Sequence, residues 1–198
     1  LEKNVTMNFA NLPPNLHIPE NDGACNHLIN SLIPNISLLN QDGNFLKLNR
    51  NDTFKLIIYC FPMTGNPKKP LPKKWNSIPG AKGCTLQTCS FRDEYDELIK
   101  LNAIPVGIST QNISDIKEMT LRLKIPYDVL SDFDLKFANS IGLPTFTINK
   151  KTYLKRVTLI IEQSKIVNVF YPIFPPQNNV YNVIDWLRIM SNDRFRRL

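Results

Sequence analysis

Apolar residues recur along this chain with two periods, and the two alternate. Short alternating or continuous apolar runs predict strands. Residues 36–39 and 45–48 flank Asp42-Gly43, a hairpin signal. Residues 53–61 form a β-branched and aromatic run suited to a strand buried on both faces. A second core strand is predicted at 103–110, where Ile104, Val106 and Ile108 alternate, and a short one at 127–130. Residues 154–161 and 165–171 read as a second hairpin across 162–164. Helical spacing appears at 85 to about 101 and at 114–124, where Ile116, Met119, Leu121 and Leu123 repeat before Ile125-Pro126. A helix over 132–141 is opened by Ser131 or Asp132 and closed by Gly142. The last helix, 178–190, carries Val180, Val183, Ile184 and Leu187 on one face.

Two stretches have no period. Residues 1–35, rich in Asn and Pro, read as an irregular N-terminal wrap with one short helix near 27–32. Residues 62–83 hold Pro62, Pro67, Pro70, Pro72 and Pro79, a density that forbids regular structure. Loops of this length inside a domain are uncommon and often functional. The order of elements predicts an α/β protein with a mixed central sheet flanked by helices. With no internal repeat and no linker, residues 1–198 are expected to form a single domain.

Composition narrows the class. Of 198 residues, 42% are hydrophobic and 21% charged, the balance of a globular chain rather than a disordered one. No apolar run approaches the ~20 residues needed to span a bilayer, so no membrane association is expected. The sequence opens at Leu1 rather than Met, which leaves room for an upstream tag, leader or natural extension. Residues 1–20 lack a basic start followed by an apolar core, so the expected compartment is the cytoplasm. The net charge of +7 resides partly in Lys68-Lys69, Lys73-Lys74 and Arg194-Phe195-Arg196-Arg197. These clusters are short, dispersed and free of interleaved aromatics, which argues for solvated surface and against nucleic-acid binding.

Four cysteines remain to be explained, and two carry chemistry. Cys60 lies within an apolar run and reads as a small buried hydrophobe. Cys25 sits in the N-terminal loop with nothing nearby to activate it, though it offers a second thiol. Cys84 and Cys89 open the predicted helix after the proline-rich loop. At a first helical turn, unpaired N–H groups and the helix dipole favour a thiolate, which is the nucleophilic form. A neighbouring cysteine then gives an oxidised sulfur something to react with. Five residues apart on an intact helix, the two point about 140° apart. Their Cα atoms would be separated by about 8 Å, beyond disulfide range. A bond between them therefore requires the first turns to unwind. A metal site is disfavoured, because the remaining cysteines have no matching spacing and both histidines, His17 and His27, lie near the N-terminus.

The run Gly83-Cys84-Thr85-Leu86-Gln87-Thr88-Cys89-Ser90-Phe91-Arg92-Asp93, after a strand ending in Phe61-Pro62, resembles the peroxiredoxins, closest to the bacterioferritin-comigratory or Q type. Gly107-Ile108-Ser109, Leu130-Ser131-Asp132 and Arg156-Val157-Thr158-Leu159-Ile160-Ile161 resemble further family segments, and the likeness spans roughly residues 30–190. The resemblance implies a thioredoxin-like fold and a thiol-dependent peroxidase without cofactor or metal. It makes Cys84 the peroxidatic cysteine, Cys89 the resolving cysteine and Arg156 the charge partner. Alternation along a strand would turn Lys155 to the other face.

The chain departs from the family at the hydroxyl expected three residues before the cysteine, where Ala81 stands. Pro62-Met63-Thr64 would be the original motif start, displaced by an insertion within 62–83. Either Thr64 folds back to supply the hydroxyl or Thr85 replaces it. The insertion, with its lysines and Trp75, is the expected source of a distinctive substrate mouth or interface.

The implied cycle reduces hydrogen peroxide and organic hydroperoxides through a sulfenic acid and a Cys84–Cys89 disulfide. A dithiol such as thioredoxin recycles it, in a monomer or a homodimer. The alternatives are a redox-sensing or partner-binding protein without efficient turnover, a disulfide oxidoreductase and a module with inert cysteines. A disulfide oxidoreductase would want Cys-x-x-Cys, which is absent.

Overall fold

The first pair of apolar runs folds as the hairpin of β1 (Ser37–Asn40) and β2 (Phe45–Lys47) in a computed structural model that describes residue 12 and residues 16–195. The long apolar run becomes β3 (Lys55–Cys60), followed after the proline-rich stretch by α1 (Cys84–Asp93) and α2 (Tyr95–Lys100). Then come β4 (Ala103–Ser109), α3 (Ile113–Leu123), β5 (Val129–Ser131) and α4 (Lys136–Ile141). The chain closes with β6 (Thr145–Ile148), β7 (Lys151–Leu154), β8 (Val157–Glu162), β9 (Lys165–Phe170) and α5 (Asn179–Phe195).

Seven strands form one mixed sheet in the order β2-β1-β5-β4-β3-β8-β9. Strand β3 runs parallel to β4 and antiparallel to β8, so the sheet's centre is closed on both sides. Side chains alternate along β3 and divide the core in two. Leu56, Ile58 and Cys60 face a cluster that includes Cys25, Phe137 and Leu159. Ile57, Tyr59 and Phe61 face Cys84, Phe91, Val180 and Leu187, beneath α1 and α5. The sheet with flanking helices is the thioredoxin-like architecture expected.

Three elements differ from the sequence pattern. The helix expected over 85–101 breaks at Glu94, whose φ of −98° and ψ of 12° separate α1 from α2. Phe91 and Leu98, both fully buried, lie two helical turns apart, so the apolar period runs on across a break of one residue. Helix α4 begins at Lys136 rather than 132, because Leu135 takes a left-handed conformation with φ of 57°. Asp132 caps it from a distance, its carboxylate accepting the N–H groups of Phe137 and Ala138 at 3.0 and 2.9 Å.

The third difference is a hairpin that the pattern did not predict. Strands β6 and β7 pair with Ile148 opposite Lys151, leaving Asn149 and Lys150 as a two-residue turn, both at positive φ. Primed turns of that kind are favoured in hairpins. The strand expected from 154 therefore ends β7 at Leu154 and resumes as β8 at Val157.

As expected, 62–83 has no regular structure beyond a single 3-10 turn, Trp75–Ser77. The short helix expected near 27–32 is likewise a 3-10 turn, Asn26–Leu28. Of the N-terminal wrap, residues 1–11 and 13–15 lie outside the described residues, as do the side chains of the Arg194–Arg197 cluster. Among the described residues, no helix is long and apolar enough to cross a membrane.

Candidate active site

Cys84 is the first residue of α1 and only 2% exposed. Gly83 before it holds φ at 100°, and a side chain there would collide with Pro176 and Leu12. Glycine is thus required both by conformation and by space. The end of β3 delivers Met63 to the same place, so the insertion loops out between two residues that remain neighbours. The Cys84 sulfur accepts the Met63 N–H at 3.4 Å and an Arg156 Nη2–H at 3.3 Å, while its thiol can donate to the Ala81 carbonyl at 3.4 Å.

Arg156 sits between β7 and β8 rather than within a strand, 4% exposed. Its Nη2 also donates to the carbonyls of Gly80 and Lys82 at 3.1 and 3.2 Å. Its Nη1 donates to Gln87 Oε1. Gln87 is fully buried on α1 and passes the link on, Nε2 to Asn179 Oδ1 at 2.9 Å. Thr158 on β8 donates to the same Asn179 oxygen at 2.7 Å. Lys155 turns away and joins Asp22 at 2.7 Å and Tyr171 at 3.4 Å. Tyr171 in turn donates to Asp22 at 2.8 Å. These two hydrogen bonds, Lys155's first, hold the Asp22 carboxyl well below the usual carboxylate range.

The two candidate hydroxyls are placed differently. Thr64 is buried with its hydroxyl on Gln111 Oε1 at 3.3 Å and its N–H on the same oxygen at 2.9 Å. Thr85 lines a small cavity over the Cys84 sulfur, together with Met63, Leu71, Trp75 and Lys82. That cavity holds about 10 Å³, enough for a group the size of one water.

Cys89 is half-buried one turn further along α1, and both cysteines are free thiols. Burial is the main influence raising the Cys89 thiol above its ordinary value. The helix that separates them is anchored near its middle, where Tyr127 donates to the Thr88 carbonyl at 3.0 Å and the Tyr59 ring stacks on Phe91 at 4.5 Å. Cys25 lies in the other half of the core, with Cys60, its thiol pushed up to about 12 by burial. The sheet therefore stands between Cys25 and Cys84.

The structure brings Arg156 onto the Cys84 sulfur, sets Thr85 in the lining of the cavity beside it and Cys89 on the same helix, and engages the Thr64 hydroxyl with Gln111. Gln87, Asn179 and Thr158 escape a reading of the sequence. Gln87 stood inside the cysteine motif, and its position one turn after Cys84 was a usable signal. Asn179 and Thr158 join it only through the fold. Among the described residues, no group of three or more His, Cys, Asp or Glu could hold a metal ion.

A family model described as AhpC/TSA family matches residues 76–170. Among curated relatives, the chloroplastic peroxiredoxin Q of Oryza sativa subsp. japonica is 28% identical over 141 residues, covering 71% of this chain and 57% of the rice protein. The chloroplastic peroxiredoxin Q of Populus jackii is 27% identical over 156 residues, covering 78% of this chain and 65% of the poplar protein. The chain thus spans less than two thirds of either relative. Two solved structures share the fold. Peroxidoxin BcpB from Mycobacterium tuberculosis superposes with a TM-score of 0.67 at 22% identity, over 81% of this chain and 96% of that one. A mutant PrxQ from Xylella fastidiosa gives 0.66 at 15% identity, over 89% and 99%.

Proposed function

We propose that this chain is a peroxiredoxin of the Q type, a thiol-dependent peroxidase acting on hydrogen peroxide and organic hydroperoxides. The observation that carries the proposal is the Cys84 sulfur held between the Arg156 guanidinium and the Met63 N–H, beside a small cavity. A guanidinium stays charged at any physiological pH and favours an adjacent anion. It also offers hydrogen bonds to the oxygens of a bound peroxide, where charge develops as the O–O bond breaks.

In this reading the Cys84 thiolate attacks one peroxide oxygen, the O–O bond breaks and the leaving oxygen departs as water or alcohol after taking a proton. Thr85 supplies the hydroxyl that faces the peroxide, in place of Thr64. Cys84 is left as a sulfenic acid. The first turns of α1 unwind, the Cys89 thiolate attacks the Cys84 sulfur, and water leaves as the disulfide forms. A dithiol such as thioredoxin reduces that bond by exchange. A cytoplasmic setting, with its reducing thiol pool, suits such a cycle.

The test is a peptide map by mass spectrometry after one equivalent of hydrogen peroxide meets the fully reduced protein. A rapid, near-stoichiometric Cys84–Cys89 linkage is expected. Cys84→Ser should abolish turnover, whereas Cys89→Ser should spare the first oxidation and leave a sulfenic acid or its overoxidised products. Four unchanged thiols would overturn the reading.

A further inference from the structure

The insertion is strongly one-sided in charge. Residues 62–83 contain Lys68, Lys69, Lys73, Lys74 and Lys82, five of the 24 basic residues, and none of the 17 acidic ones. Without them the chain's net charge of +7 would fall to +2. Lys68, Lys69, Lys73 and Lys74 are exposed.

This segment is also built as a platform rather than left as a free loop. Trp75, 3% exposed, packs against Tyr153 and Phe146 of the β6–β7 hairpin at 5.0 and 5.8 Å between ring centres. Arg122 donates to the Gly65 carbonyl at 3.0 Å, and Arg156 holds the Gly80 and Lys82 carbonyls. Lys69 is tied to Asp115 on α3 at 2.6 Å. The inner side of the same segment, through Leu71, Trp75 and Lys82, forms the wall of the cavity over Cys84. The exposed lysines are thereby carried on the outside of the same segment whose inner side covers the Cys84 sulfur.

We propose that this lysine platform is the docking surface for the protein that reduces the disulfide, and that this reductant is a dithiol protein with an acidic rim around its own cysteines. The inference rests on the peroxidase cycle above. The lysines spread outward over exposed surface and the cavity admits little more than a water, so the geometry suits a protein face better than a small anionic substrate. In the reductive step, a reductant thiolate attacks one sulfur of the Cys84–Cys89 bond. That bond breaks, and the other cysteine leaves as a thiolate and takes a proton. The reductant's second thiol then displaces the mixed disulfide, and the reductant departs as its own disulfide with two electrons transferred. Opposite charge on the facing surfaces accelerates the encounter.

The experiment separates the two half-reactions by stopped flow, in wild type and in the triple variant Lys68→Glu, Lys73→Glu, Lys74→Glu. The first half-reaction is oxidation of the reduced protein by hydrogen peroxide. The second is reduction of the disulfide, formed beforehand with diamide, by an acidic-rimmed thioredoxin or by dithiothreitol. At low salt, reduction by the thioredoxin is expected to slow by about tenfold or more in the variant. Peroxide oxidation and reduction by dithiothreitol should be unchanged. High salt should close most of the gap and slow the wild type alone. Equal thioredoxin rates in the two proteins, or a wild-type rate indifferent to salt, would overturn the proposal. So would binding to duplex DNA or to anionic vesicles that the variant loses while its thioredoxin rate is kept. Absence of peroxide oxidation with a retained charge effect on reduction would instead remove the peroxidase reading and leave the docking surface standing.

Discussion

Arg156 grips Cys84 and Gln87 with the two arms of one guanidinium, Nη2 on the sulfur at 3.3 Å and Nη1 on the amide oxygen one helical turn later. The Cys84 sulfur and the first turn of α1 are thereby held by the same group. Beyond Gln87 the chain of bonds reaches Asn179 on α5 and Thr158 on β8.

Removing either partner should separate the two roles. In Arg156→Ala, the second-order rate of Cys84 oxidation by hydrogen peroxide should fall by about two orders of magnitude, the size of losing a charge-stabilising donor. Gln87→Ala leaves the arginine present but loosens it and leaves it with an unmet donor, a cost of about 1–3 kcal/mol. Oxidation should slow by roughly tenfold while disulfide closure after oxidation accelerates. Stopped-flow fluorescence resolves both phases. A Gln87→Ala protein with wild-type values for both would show that the link is idle.

The two threonines make a sharp comparison. Thr85→Val keeps the shape and removes the hydroxyl of a residue that lines the cavity, so on the proposed mechanism peroxide oxidation should slow by about tenfold, the worth of one hydrogen bond to a developing charge. Thr64→Val removes a hydroxyl that already serves Gln111, so it should alter stability more than rate. The reverse order of rates would return the role to Thr64.

Trp75 fastens the insertion to the β6–β7 hairpin through Tyr153 and Phe146. Trp75→Ala should lower stability in urea by about 3 kcal/mol, the low end for a buried tryptophan. The same change opens the wall over Cys84, and native-state alkylation of that sulfur by iodoacetamide should quicken. Unchanged stability and unchanged alkylation would mean that the insertion holds its place without the indole.

Cys25 gives the native state an alkaline limit. Its thiol is pushed up to about 12 in the folded protein from an ordinary 9.0, chiefly by burial. Above pH 9 the unfolded chain loses this proton first and binds fewer protons than the native chain, so stability falls as pH rises. The contribution is whole below 9 and lost as pH climbs towards 12. Urea midpoints followed across that window should decline less steeply in Cys25→Ala than in wild type, and parallel slopes would contradict the assignment.

Much of the fold was legible because burial imposes a period. The β3 run and the apolar stripe of α5 announce themselves, since a strand covered on both faces and a helix covered on one have no other way to satisfy their surroundings. The β6–β7 hairpin escaped because its apolar residues are few, and two of them, Phe146 and Tyr153, pack on Trp75, which is distant in sequence. Its signal was the Asn149-Lys150 turn, a local cue weaker than Asp-Gly. The break at Glu94 escaped because Phe91 and Leu98 keep their spacing across it.

By itself the sequence determined where the two cysteines stand. Cys84 follows a glycine at a helix start and Cys89 comes five residues on, beyond disulfide range while the helix is wound, because this follows from local backbone geometry. Only the tertiary structure decided what surrounds that sulfur. Met63 returns to Cys84 across the insertion, Arg156 arrives from between two strands, and Thr85 rather than Thr64 lines the cavity. Gln87 ties the helix to Asn179. Met63 and Cys84, Arg156 and Cys84, and Gln87 and Asn179 are far apart in the chain, and packing around the shared sheet, rather than any local preference, brings them within a hydrogen bond of one another.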